Sequence, residues 1–259
     1  MRICRFTTGE DPMFGLVDGA GEKIAEISGD PLYTKIELTG ATHLVDEVRL
    51  LAPVIPRSKI IGIGHNYASH AAERGAQVRD VPLMFLVPNT AVVGPDDPVV
   101  IPAMTQHVSH EAELAVVIGS MCKNVAAADA SSVILGYTVA NDVTARDLQK
   151  DDGQWARAKG MDTFCPLGPW IETDIDASDL RVTCRVDGEL RQDQSTADLV
   201  HGVPELIETL SAAFTLLPGD VILSGTPAGI SQVYAGQRVE VAVEGIGSFS
   251  NPFVQASED

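Results

Sequence analysis

The chain has 259 residues, 45% apolar and 5% aromatic, with 23 glycines and 15 prolines: long enough to bury a sizeable core, turn-rich, and too apolar for disorder. Its formal net charge of -18 argues against sequence-independent binding to nucleic acid or to an anionic membrane, both of which need a basic face, and means that an anionic substrate needs a local cation to enter. No stretch approaches about 18 consecutive apolar residues and the start, MRICRFTTGEDP, has no signal-peptide apolar run, so a cytoplasmic protein is expected.

In chain order, RICRF, MFGLVD and KIAEI read as strands separated by the turn residues of TTGEDP and GAGE. LLAPVIPRSK, with its prolines, reads as a linker, which divides the chain into a small β-rich N-terminal domain over 1–55 and a catalytic domain over 56–259. The four cysteines, Cys4, Cys122, Cys165 and Cys184, lack CxxC or metal-ligand spacing and read as reduced, mostly buried thiols.

IIGIGHNY carries Gly62-x-Gly64 after an apolar run, but Tyr67 stands where a dinucleotide fingerprint needs its third glycine, so that reading is rejected. NYASHAAERG predicts a helix of two turns stopping at Gly75, with His70 and Glu73 at i and i+3 on one face. A carboxylate beside an imidazole holds its tautomer and raises its basicity, which suits a general base for water; a surface ion pair is the alternative.

VSHEAELAVVIG places Glu111 and Glu113 on the same side of a strand, their backbones about 6.5 Å apart. Like charges that close either face solvent or share a hard divalent cation. AAADASSVILG predicts a helix, as does STADLVHGVPELIETLSAAF, interrupted at Pro204. GYTVANDVTARDLQ reads as a strand that turns into a helix at Asn141-Asp142. Thr144 with Asp147 resembles a capping box, which would leave the Asp142 carboxylate free. Arg146 and Gln149 share a face of that helix and offer donors to a substrate carboxylate, with a surface position equally open to Arg146.

In WARAKGMDTFCPLGP, Lys159 is either solvated or aimed at a site. PLGPWIETDI, LRVTCRVDGELR, PGDVILSG and QRVEVAVEGIGSFSN read as strands and turns. SGTPAG ends a strand in a tight turn, either a plain loop or one exposing the Thr226 hydroxyl. Strands with occasional helices point away from repeated βαβ units.

Six segments stand in a fixed order: GHNYASHAAE, EAELAVVIG, GYTVANDVTARDLQ, KGMDTFCPLGPW, LLPGDVILSGTPAG and VEGIGSFSN. From about residue 60 to 253 the chain thereby resembles the fumarylacetoacetate hydrolase family, in its acylpyruvase and 2-hydroxyhepta-2,4-diene-1,7-dioate isomerase-like branch. The resemblance implies a fold that is mainly β with α elements, a mixed β-sandwich roll with a small N-terminal β-rich domain, and a homodimer. It implies magnesium or manganese held by Glu111, Glu113 and Asp142, catalysis by His70 and Glu73 on a lid segment together with Lys159, and substrate contacts from Arg146, Gln149 and Thr226. The activity it implies is metal-dependent hydrolysis of a carbon-carbon bond in an acylpyruvate or related 2-oxo acid. Oxaloacetate decarboxylation, isomerisation of an unsaturated 2-oxo dicarboxylate, or binding of a 2-oxo acid without catalysis are its alternatives. Two positions depart from the family pattern: Val87 stands where many relatives carry lysine and Ser109 where many carry aspartate, which bears on the distal contact and on the surroundings of the metal.

Overall fold

The computed structural model describes residues 1–257, so the last two positions of the expected 56–259 domain lie outside the described residues. The architecture is mainly β. Its α-helices are short and lie in connections: Ala68–Glu73, Arg146–Asp152, Ala156–Lys159 and Val203–Ala213. None is long and apolar enough to cross a membrane. The four cysteines are buried and free.

The apolar run after Glu113 explains the centre of the molecule. Ala112–Ile118 is a strand with every residue buried. Leu114, Val116 and Ile118 pack against Val182, Val239, Val241 and Phe249 of a second sheet, while Ala115 and Val117 pack with Ile60, Leu167, Val221 and Leu223. A strand covered on both faces needs a continuous apolar sequence rather than an alternating one, and each fully buried Val, Leu or Ile contributes about 1.5–3 kcal/mol. The strand pairs antiparallel with Ile134–Asn141 and with Val221–Leu223, and the latter runs parallel to Ile60–Gly64. These belong to a 12-stranded mixed sheet; a five-stranded sheet lies on one face, and a three-stranded ribbon joins Val108–Ser109, Thr144–Ala145 and Gln232–Val233.

The expected strands RICRF, MFGLVD and KIAEI form as Arg2–Thr7, Met13–Val17 and Lys23–Ile27. Two further strands, Leu38–Leu44 and Arg49–Leu51, complete the N-terminal region. Arg2 pairs with Glu172 and Ile3 with Ile171, so these strands extend the large sheet.

Three expected elements differ. The helix expected over AAADASSVILG is a 3-10 turn at Ala127–Val133, and Ile134 and Leu135 belong to the next strand. Ala and Ser bury too little surface to hold a helix against a neighbouring β-branched run that the sheet can pair. Pro204 does not interrupt a helix: it sits in the first turn of Val203–Ala213, where the missing N–H costs nothing. The strand through Asn141 does not pass directly into a helix, which begins only at Arg146, and no capping box forms. Asp147 instead accepts from Thr105 Oγ1 and the Gln106 and Leu148 N–H groups, while Thr144 Oγ1 donates to the Asp142 carbonyl.

Candidate active site

Sheet register brings the carboxylates together. Ala112 lies opposite Asn141, so the residues just beyond, Glu111 and Asp142, face each other, and the Asp142 N–H donates to the Glu111 carbonyl at 2.8 Å. Ligand atoms of Glu111, Glu113 and Asp142 lie within 4.8 Å of one another, and all three residues are buried. The solvent-facing alternative for the paired glutamates is thereby excluded: Glu111 is 4% exposed and Glu113 1%.

The three carboxylates are held differently. Glu111 accepts from Arg146 and, at 2.9 Å, from Lys159 Nζ. Burial pushes its carboxyl up, but the Arg146 guanidinium and the Lys159 ammonium outweigh burial and hold it well below the usual range. Glu113 accepts from the Gly225 N–H at 2.7 Å and is driven well above its usual range by burial and by the charges of Asp142 and Glu111. Asp142 is raised to about 6, chiefly by burial, although Lys159 Nζ donates to its Oδ2 at 2.5 Å; its Oδ1 has no partner among the described residues. Lys159 also donates to Thr144 Oγ1 at 2.9 Å, and its ammonium lies 5.0 Å from the Phe85 ring centroid. Burial alone would lower the Lys159 pKa; Asp142 and Glu111 hold it above its usual value, so the side chain is charged.

The strand Ile60–Gly64 ends at the same edge of the sheet and feeds the helix Ala68–Glu73. Asn66 fixes that junction. Its side-chain amide donates to the His201 and Ser224 carbonyls at 3.0 and 2.7 Å and accepts from the His201 N–H at 2.9 Å. Gly225 packs against it with φ +105°, and an added Cβ would lie 2.7 Å from Asn66 Cβ, so only glycine fits. Asn66→Ala leaves three backbone groups without partners and is expected to lower stability by about 2–3 kcal/mol, read from urea denaturation.

His70 is 4% exposed, and Nδ1 lies 3.4 Å from Glu73 Oε2. Because a carboxylate only accepts, the proton sits on Nδ1 and Nε2 is left as an acceptor. Burial lowers the His70 pKa, which keeps the ring neutral at physiological pH. The other Glu73 oxygen accepts from the Gly229 N–H at 3.1 Å and ties the helix to the SGTPAG turn.

One narrow cleft is lined by His70, Glu111, Glu113, Arg146, Gln149, Lys159 and Thr226. Asp142 closes it from behind through Lys159, and Glu73 through His70. Arg146 Nη1 donates to Gln149 at 3.2 Å, so the expected pair of substrate contacts also touch each other. Thr226 departs from expectation: it is 2% exposed, and its hydroxyl donates to the Ala112 carbonyl and accepts from Gln192 Nε2, each at 2.8 Å. The turn folds back onto the carboxylate strand rather than presenting the hydroxyl to solvent.

The family model described as fumarylacetoacetate (FAA) hydrolase C-terminal matches residues 59–254. The chain belongs to the fumarylacetoacetate hydrolase family. A second family model, Rv2993c-like, N-terminal, matches residues 1–53. The oxaloacetate tautomerase Fahd2a of Rattus norvegicus mitochondria is 36% identical, over 98% of this chain and 92% of its own. Among solved structures, a 2-hydroxyhepta-2,4-diene-1,7-dioate isomerase from Mycobacterium marinum is 44% identical with a TM-score of 0.91, covering 100% of both chains. A maleylpyruvate hydrolase from Sphingobium sp. SYK-6, solved with manganese(II) and pyruvate, is 33% identical with a TM-score of 0.82, covering 99% of this chain and 100% of that one.

In this fumarylacetoacetate hydrolase family fold several further residues shape the cleft. Ile63, Gly64, His65, Arg74 and Trp155 also line it. Gln192 arrives from the five-stranded sheet, where its amide meets Thr226, Pro227, Ala112 and His110. Asn66 lies inside the GHNY segment and was within reach of the motif; Gln192 sits in no local pattern and is placed only by sheet packing. Of the two departures, Val87 is 3% exposed and joins the apolar cluster of Ile60, Leu167 and Val221, supplying no charge to the cleft. Ser109 is 2% exposed and pairs in register with Thr144 and Gln232.

Proposed function

We infer that the chain is a divalent-cation-dependent enzyme acting on a small 2-oxo acid through its enol or enolate, with hydrolysis of the carbon-carbon bond of an acylpyruvate-type substrate as its net reaction. The observation that carries this reading is a buried His70 lining the same cleft as convergent carboxylates. Glu111, Glu113 and Asp142 would hold magnesium or manganese. The donor set is all oxygen, Asp142 Oδ1 lacks a partner among the described residues, and the repulsion that raises Glu113 is what a cation relieves. A bound cation would supply positive charge against the negative charge that develops on the keto and carboxylate oxygens of a 2-oxo acid.

The chain's own residues supply the rest. Arg146 and Gln149 orient the substrate carboxylate, and the turn at Thr226 closes the cleft beside it. His70 takes a proton from water at Nε2 while Glu73 keeps the Nδ1 proton in place. The water oxygen bonds to the distal carbonyl carbon, and the charged Lys159 stabilises the resulting oxyanion or returns a proton. The carbon-carbon bond then breaks with its electron pair left on the pyruvyl fragment as an enolate, which is protonated to pyruvate; the other product is the acid of the acyl group. The same reading carries a cytoplasmic homodimer, measurable by sedimentation.

A second reading is tautomerisation or isomerisation of a 2-oxo dicarboxylate, in which His70 moves a proton between substrate atoms and no water is consumed. The higher identities of the tautomerase and isomerase relatives favour it. Incubation with acetylpyruvate, fumarylpyruvate and oxaloacetate in the presence of magnesium or manganese separates the two. Acetate and pyruvate released in equal amounts from acetylpyruvate supports hydrolysis. Loss of enol absorbance without cleavage products supports the second reading, and inactivity on all three overturns both. His70→Ala is expected to lower turnover about 10²- to 10³-fold, measured by steady-state kinetics on protein of unchanged circular dichroism; a loss of about twofold would remove His70 from the proton transfer.

A further inference from the structure

Three cationic side chains line the cleft, and two are already hydrogen-bonded to groups of the protein. Arg146 donates to Glu111 and Gln149, and Lys159 to Glu111, Asp142 and Thr144. Arg74 is different. Its backbone N–H closes the end of the His70 helix by donating to the His70 carbonyl at 3.1 Å, yet its guanidinium has no hydrogen bond or ion pair among the described residues. Arg74 is exposed, so in a chain of net charge -18 its uncommitted guanidinium is open to an anion entering the cleft.

Arg74 shares its side of the cleft lining with His65 and Trp155. His65 holds a left-handed backbone, φ 57°, unusual for a residue with a side chain. Its ring lies 5.9 Å from that of His70 and 5.6 Å edge-on from Trp155. Burial, followed by His70 and then by the positive charges of Arg74 and Arg79, lowers the His65 pKa. A carboxylate docked at Arg146 and Gln149 would leave the far end of a short substrate facing this side, where a guanidinium offers a planar fork matched to a second carboxylate.

We propose that Arg74 is the specificity-determining residue that selects a distal carboxylate, so that the cleft takes 2-oxo dicarboxylates in preference to 2-oxo monocarboxylates of equal length. This deepens the 2-oxo acid reading and rests on it. The test is calorimetric titration of the manganese-loaded protein with two matched pairs: oxaloacetate against 2-oxobutyrate, and 2-oxoglutarate against 2-oxopentanoate. Wild-type protein is expected to bind at least one dicarboxylate about tenfold more tightly than its partner, the scale of one charge-assisted hydrogen-bonded contact. In Arg74→Ala the preference falls to near one, and Arg74→Lys restores part of it. Arg79→Ala, which alters a neighbouring arginine outside the cleft lining, keeps the preference. A preference that survives Arg74→Ala, or no preference in the wild type, overturns the assignment to Arg74 alone. Failure of all four acids to bind overturns the 2-oxo acid reading with it.

Discussion

Lys159→Met is expected to lower the stability of the metal-free protein by about 3–5 kcal/mol, the scale on which removing one partner strands a buried charge. Lys159 is 2% exposed and touches Glu111, Asp142 and Thr144, so methionine fills much of the volume but leaves carboxylates with less positive charge. For a chain of this length the loss amounts to a melting temperature lower by on the order of 10 °C, measured in chelator. Saturating magnesium or manganese is expected to recover part of the loss, because a cation held by the triad replaces the missing ammonium. A melting temperature unchanged by Lys159→Met would mean that the ammonium is not the internal counter-ion of the cluster.

Glu113→Gln should act in the opposite direction. Glu113 is raised by burial and by the neighbouring Asp142 and Glu111 charges, so its ionised form costs folding free energy in the absence of metal. A carboxyl whose folded pKa lies above its unfolded value of 4.5 withdraws stability as pH rises from that value through the folded pKa. Glutamine, nearly isosteric with the protonated acid, removes this dependence. In chelator the variant is expected to match wild type near pH 4.5 and to exceed it by about 1–4 kcal/mol at pH 8. Metal shifts the comparison toward the wild type. A cation at 100 times its dissociation constant stabilises the wild type by about 2.7 kcal/mol, while Glu113→Gln gains nothing, shows no saturable binding by calorimetry, and turns over substrate only at background. A variant that binds manganese as the wild type does would remove Glu113 from the cation site.

The site was legible where chemistry and local spacing coincide. Glu111 and Glu113 are two apart on a strand, and His70 and Glu73 are three apart on a helix, so each pair shares a face before any tertiary contact is considered. The apolar LAVVI run likewise announces a strand buried on both faces. What escaped local reading is set by long-range pairing. Whether Thr226 faces solvent depends on Gln192 of another sheet, and the capping reading of Thr144 and Asp147 failed because Lys159 and Thr105 compete for those side chains. The helix read into AAADASSVILG lost its last residues to a strand whose partner precedes it by some twenty positions. The N-terminal strands could be drawn singly, but that they extend the large sheet rests on Arg2 meeting Glu172, which no window of sequence contains.

The carboxylates stand on the ends of central strands, whereas His65, Arg74 and Trp155 hang from the connections around them. Backbone that is paired on both sides tolerates little change; connections tolerate a great deal. Under the reading given above, such a molecule separates two inheritances. The capacity to withdraw electrons from a 2-oxo acid passes down with the sheet, and the choice of which acid is left to loops that drift freely. Substitutions at the rim can then change which acid is selected while the carboxylates and the sheet that carries them stay in place.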